Sequence, residues 1–198
     1  MTQSLPISDT VATIELTGFE TMALKPTIHK FNIALSDLDR DYYDTLNLTV
    51  ARHPSETMER MMVRVLAYCI NASPHLAFTK GVSAIDEPDL WEHSLDGDLK
   101  LWIDVGEPSV ERVKKASHIA RQVKVYSFNS KSDVWWKQSQ GALSRLSASV
   151  QQFRWKEIQS LAALVQRTMD CSVTIADGSA FVGAELGECE ISWLALQP

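Results

Sequence analysis

Residues 99–120 read LKLWIDVGEPSVERVKKASHIA, and the fold turns on how this stretch divides. The apolar run Leu101-Trp102-Ile103 ends at a carboxylate, Asp104, and Gly106 follows two residues later. Glu107 and Pro108 then open a segment carrying Lys114 and Lys115. The apolar run bounded by glycine predicts a strand over 99–105. Pro108 suits a first helical turn, and Val110, Val113, Ser117 and Ala120 supply one face of a helix over 108–121. A strand interior favours apolar side chains, so an acid at position 104 needs a partner or an exposed rim.

Working outward, QVKVYSFN (122–129) reads as a strand and KSDVWWKQSQGALSRL (131–146) as a helix. SASVQQFRW is a further strand, and WKEIQSLAALVQRTM a helix with Ile158, Leu161, Leu164 and Val165 on one face. The segment from Cys171 onward reads as a hairpin or meander turning at Asp177-Gly178. Upstream, HPSETMERMMVRVLAYCINASP is the clearest helix, with Ser55 as its expected cap and Pro74 as its stop. Met58, Met61, Met62, Val65, Leu66 and Cys69 recur there at helical spacing. HLAFTKG is a short strand, followed by an acidic loop, SAIDEPDLW. Nearer the N-terminus, Phe31, Ile33 and Leu35 alternate with polar neighbours, as do Leu46, Leu48 and Val50, which predicts an antiparallel hairpin. Residues 1–21 read as an N-terminal extension and 22–198 as one domain. The expected class is α/β, a central mixed sheet flanked by helices, with the N-terminal hairpin and C-terminal strands added to it.

The composition, with 45% hydrophobic and 22% charged residues, is that of a folded globular chain. A formal net charge of −6 weakens a reading in which the whole protein sits on a polyphosphate backbone, although a local basic patch suffices for such contact. Cys69, Cys171 and Cys189 are far apart and form no metal-binding spacing, which points to reduced thiols in a cytoplasm. No apolar run approaches the length of a membrane span, and no secretory signal is present.

The stretches MALKPTIHKFNIALSDLDR, LTVARHPSETMERMMVRVLAY, FTKGVSAIDEPDLW, LWIDVGEP, VKKA and FNS…WW closely resemble the YaeQ family of bacterial proteins, in order from Met22 onward. The resemblance implies a restriction-endonuclease-like core, the α-β-β-β-α-β unit of PD-(D/E)xK nucleases. In such a unit two acids hold Mg²⁺ and a lysine orients or activates the attacking water. Asp104 matches the second motif acid. Pro88-Asp89 matches the first step, with Asp86 and Glu87 as neighbouring choices. Gly106 stands where the motif wants lysine. The next helix offers Lys114, on the flank of its apolar face, with Lys115 pointing further outward.

Glu59, one turn into the first helix, is a candidate third acid, and Glu56 lies further round toward solvent. Arg52 and His53 precede that helix and could meet a phosphate, while a His-Pro step is more often local structure. Trp135-Trp136 would stack on bases in a nucleic-acid reading, but adjacent tryptophans on a helix more often place one in the core and one on a rim. Two functions follow. One is a Mg²⁺-dependent nuclease-like protein acting on DNA or RNA, with Asp89 and Asp104 as metal ligands. The other is a non-catalytic member of the fold that binds nucleic acid or protein.

Overall fold

The computed structural model describes residues 25–80 and 86–198, so the expected extension and the start of the acidic loop lie outside the described residues. β1 (Thr27–Asp37) and β2 (Tyr42–Arg52) form the expected antiparallel hairpin, in register from Thr27–Arg52 to Asp37–Tyr42. Its alternation is the sequence pattern made physical. Phe31, Ile33 and Leu35 are buried while Lys30, Asn32 and Ala34 are exposed. Asp41 makes the turn at φ 50°, a conformation in which aspartate is several-fold enriched.

Then come α1 (Met58–Ile70), β3 (Leu76–Phe78), β4 (Leu90–His93) and β5 (Leu99–Val105). α2 (Val110–Ile119) leads to β6 (Gln122–Ser127), and α3 (Ser132–Leu143) to β7 (Ser149–Phe153). α4 (Trp155–Ala163) precedes the meander β8 (Thr168–Ala176), β9 (Ser179–Ala184) and β10 (Gly187–Gln197). Three local expectations change. Trp91 belongs to a strand rather than a loop. α4 ends at Ala163, before the RTM stretch, because Thr168 and Met169 enter β8 and pair with β1. The cap of α1 is Thr57, whose side chain accepts from the Arg60 amide, while the Ser55 hydroxyl lies 2.7 Å from His53 Nδ1.

All ten strands share one sheet, in the order β2-β1-β8-β9-β10-β7-β6-β5-β4-β3. The N-terminal hairpin therefore extends the main sheet, through parallel pairing of β1 with β8. β5, β6 and β7 run parallel to one another, and β3, β4 and β5 are antiparallel neighbours.

The sheet is more than a flat layer flanked by helices. α1 buries residues all round, from Met61 through Ala67, as a helix enclosed on every side must. Both edge strands reach it. Arg64 donates to the Ala51 carbonyl in β2, and the Tyr68 hydroxyl donates to Leu76 O in β3. The sheet thus curls into a nearly closed barrel around α1, with α4 packed beside it. A second, smaller core lies on the outer face, where Val113 and Ala116 of α2 and Leu143 of α3 cover Trp102, Val123, Val125 and Val150.

The enclosed helix carries matching charges at its ends. Glu56 is buried before its N-terminus. At its C-terminus, Arg40 donates to the carbonyls of Cys69 and Ala72, and Lys124 donates to Asn71 Oδ1 at 2.7 Å. Burial, and then the nearby Arg40 charge, hold the Lys124 amine below the ordinary lysine range.

Candidate functional site

Asp89 and Asp104, the two expected metal ligands, lie at the carboxyl end of β5, where β4, β5 and two helices meet. Asp104 shares the Trp102 face of β5 and points toward α2, because side chains alternate along a strand. It is only 2% exposed, and its charge is met by Arg112, one turn into α2. Arg112 Nε donates to Oδ2 at 2.9 Å and Nη2 to Oδ1 at 2.8 Å, a bidentate fork. The same guanidinium lies 5.4 Å from the Trp102 ring centroid and donates to the Glu87 carbonyl. Burial works against the Arg112 charge, but the hydrogen bonds and charge of Asp104 outweigh it and raise its pKa.

Asp89 comes immediately before β4 and is 3% exposed. Its partner is Arg60 of α1, whose Nη2 reaches Oδ1 at 2.7 Å and Oδ2 at 3.0 Å. The amide of Val105 donates to Asp89 Oδ2 at 2.8 Å, so this carboxylate also ties β4 to the end of β5. Burial pushes the Asp89 carboxyl above the usual range, against the opposing pull of Arg60 and the Val105 amide.

Arg60 continues into a buried charge chain. Its Nη1 donates to Glu56 Oε1 at 2.9 Å, and Arg64 Nη2 donates to Glu56 Oε2 at 3.0 Å. Arg64 is 2% exposed and Glu56 3%. Glu56 was expected toward solvent. It is buried because the chain leaves the helical path before Thr57, so the wheel angle of α1 does not apply to it.

The remaining expected residues separate from this cluster. Glu59 is half-buried and makes no ion pair among the described residues. Lys114 is exposed and likewise makes none. Lys115 pairs with Asp86 at 2.7 Å on the open surface, and that hydrogen bond holds the Asp86 carboxyl below its ordinary value. His53 is engaged locally with Ser55, and Arg52 donates to the Glu56 carbonyl at 2.8 Å. Trp135 and Trp136 are both half-buried against the outer core, and Trp135 Nε1 donates to Pro108 O.

Three contributors escape a motif-led reading. Arg60 and Arg112 neutralise Asp89 and Asp104, and the i, i+4 spacing of Glu56, Arg60 and Arg64 was the available signal for the first. Glu107, from the β5–α2 connection, is the third. It accepts from the amides of Phe128 and Asn129 and from Ser132 Oγ at 2.6 Å, as well as from the Asn129 side chain. It thereby closes the β6–α3 loop onto the end of β5.

A divalent cation would have to share Asp89 and Asp104 with arginines that come from helices on opposite faces of the sheet. Among the described residues no group of three or more His, Cys, Asp or Glu is placed to hold a metal. The donor set as arranged therefore does not fit Mg²⁺. What it can do is fix the ends of β4 and β5 to α1 and α2, with the partly exposed edges of two guanidiniums facing outward. No helix among the described residues is long and apolar enough to cross a membrane.

Comparison with known proteins places these observations. The family model described as YaeQ protein matches residues 22–193. The uncharacterized protein YaeQ of Escherichia coli K12 is 38% identical over 178 residues, which is 89% of this chain and 98% of the relative. Its counterpart in Salmonella typhi is 39% identical over the same extent. The crystal structure of the YaeQ protein from Xanthomonas axonopodis pv. citri superposes with a TM-score of 0.84 at 38% identity, covering 87% of this chain and 98% of that one. The Pseudomonas syringae YaeQ structure gives 0.84 at 36% identity, covering 87% and 97%. Sequence and architecture agree over nearly the whole of each relative, and the chain belongs to the YaeQ family.

Proposed function

We propose that this chain is a non-catalytic binding member of the restriction-endonuclease-like, PD-(D/E)xK-related group. The unit α1-β3-β4-β5-α2-β6 supports the relationship, since its three antiparallel strands are followed by a helix and a parallel fourth strand. Asp89 before β4 and Asp104 near the end of β5 are the acids that the resemblance assigns to the motif. The observation that carries the non-catalytic reading is that each of these acids is already held by its own arginine through two hydrogen bonds. Gly106 supports it too. Its φ of 107° is strained for any side chain, so a lysine at the motif position would cost backbone energy. Guanidinium groups supply the positive charge that a metal would otherwise bring to buried acids.

The test is a thermal-shift titration with Mn²⁺ and Mg²⁺, followed by cleavage assays on single- and double-stranded DNA and RNA. The expected outcome is no metal-dependent rise in Tm up to millimolar concentration and no cleavage. The placing of both Asp89 and Asp104 at the carboxyl end of β5 favours a second reading, a Mg²⁺-dependent nuclease using Asp89, Asp104, Glu59 and Lys114. In that case metal stabilises the parent by mass action and Asp104→Asn removes the effect.

A further inference from the structure

We propose that a groove at the carboxyl ends of β6 and β7 binds single-stranded nucleic acid, seating an unpaired base against Trp155 and Trp193 and the flanking phosphates on Arg154, Lys156 and Lys131. The groove has a volume of about 740 Å³, within the usual range for a small-ligand site. It lies where the parallel strands end, the side on which open α/β sheets take ligands. Its two indoles are held from beneath. Trp155 tilts against Phe128 with centroids 6.1 Å apart, and Trp193 meets Phe153 edge-on at 5.9 Å. Both remain half-exposed to the groove they line.

The two lining acids are already engaged. Asp133 accepts from Gln152 Nε2 at 2.7 Å. Glu157 accepts from the Ser192 amide at 2.8 Å and lies 3.6 Å from Arg154. Lys156, and Lys131 between the lining residues Ser130 and Asp133, are exposed and make no ion pair among the described residues.

An independent observation comes from the distribution of charge. Residues 110–158 hold ten lysines and arginines and three acids, Glu111, Asp133 and Glu157, whereas the rest of the chain holds nine against twenty-two. In the fold this segment is α2, β6, α3, β7 and the first turn of α4, and eight of its ten cations are exposed, of which Lys115, Arg121 and Arg154 pair with Asp86, Asp98 and Glu157. An acidic protein thus concentrates its positive field on the layer that leads to the groove, the arrangement that steers a polyanion to one face. The aromatic lining selects among polyanions, because every base has a π-face and a phospholipid headgroup or polyphosphate has none. A base can stack on these indoles only where it is not already stacked within a duplex, which selects the single strand. Neither Asp89 nor Asp104 lines the groove. The inference draws on the binding reading above only in expecting the bound strand to stay intact.

The experiment uses the full chain and a labelled single-stranded oligonucleotide, followed by fluorescence anisotropy at several salt concentrations. Competitors are the matching duplex, long-chain polyphosphate and anionic vesicles. Binding should strengthen as salt falls, and unlabelled single strand should compete far better than the other three. The triple variant Lys131→Gln, Arg154→Gln, Lys156→Gln should lower the slope of log K against log salt by about 2, roughly 0.7 for each lost phosphate contact. Trp193→Leu should weaken binding on the order of ten-fold with the slope unchanged. Lys30→Gln, on the exposed face of β1, should change neither. No binding at low salt, an unchanged slope in the triple variant, or equal competition by polyphosphate or vesicles overturns the proposal. Binding with Mn²⁺-dependent cleavage keeps the groove and overturns the non-catalytic reading. Absent binding without a metal shift removes the groove alone.

Discussion

Asp104 and Arg112 do not lose equally when separated. Arg112→Ala strands a carboxylate that is 2% exposed, whereas Asp104→Asn leaves a guanidinium with an edge in water. Removing one partner of a buried pair costs chiefly the desolvation of the group left behind. The arginine variant should therefore lose about 3 kcal/mol and the asparagine variant about 1 kcal/mol in urea unfolding. The reverse order would show that Asp104 is already solvated. Tyr126 offers a pH-based check. Its hydroxyl is buried and accepts from Asn71 Nδ2 at 2.7 Å, and burial pushes its pKa up to about 12. The unfolded phenol ionises near the ordinary value of about 10. The folded form thus keeps its proton where the unfolded form loses it. This contribution is complete below pH ~10 and is lost as pH rises toward ~12, by about 1.4 kcal/mol per unit. Tyr126→Phe should flatten that alkaline slope in denaturant titrations.

At the level of elements, α1 is the place where sequence and structure diverge most usefully. Its apolar positions were legible, because Met61, Met62, Val65, Leu66 and Cys69 keep helical spacing. That it would be enclosed was signalled less openly, by Val63 and Ala67 filling the opposite side. Period alone tells which face is apolar but not how many neighbours cover it. Strands β1 and β2 were read to within a few residues because alternation fixes their faces, while α4 was overrun because β8 competes for its last turn. The candidate site was half legible. The acids could be placed, but their arginines come from other elements, and only tertiary packing brings them within reach. A consequence for α1 can be measured. Glu56→Ala leaves Arg64 buried without its carboxylate partner and should cost about 3–5 kcal/mol, whereas Glu59→Ala should stay within about 0.5 kcal/mol. Equal losses in chemical denaturation would mean that the charge chain below α1 carries no stability.

Seen whole, the molecule has two cores on the two faces of one continuous sheet. β5, β6 and β7 form the wall between them, so neither core survives loss of the other. Unfolding should be a single transition, with far-UV dichroism and tryptophan fluorescence coinciding. A fluorescence change preceding loss of secondary structure would reveal the α2–α3 layer as an independent unit. The pairing of β1 with β8 also sets a timetable for synthesis. Asn32 and its partner Asp170 are 138 residues apart. At roughly 5–20 residues per second, the ribosome delivers the second strand about 7–28 s after the first. Throughout that interval the β1 backbone from Lys30 to Asp37 has no strand to pair with along its second edge. It is during translation, rather than in the finished protein, that this chain most needs a chaperone.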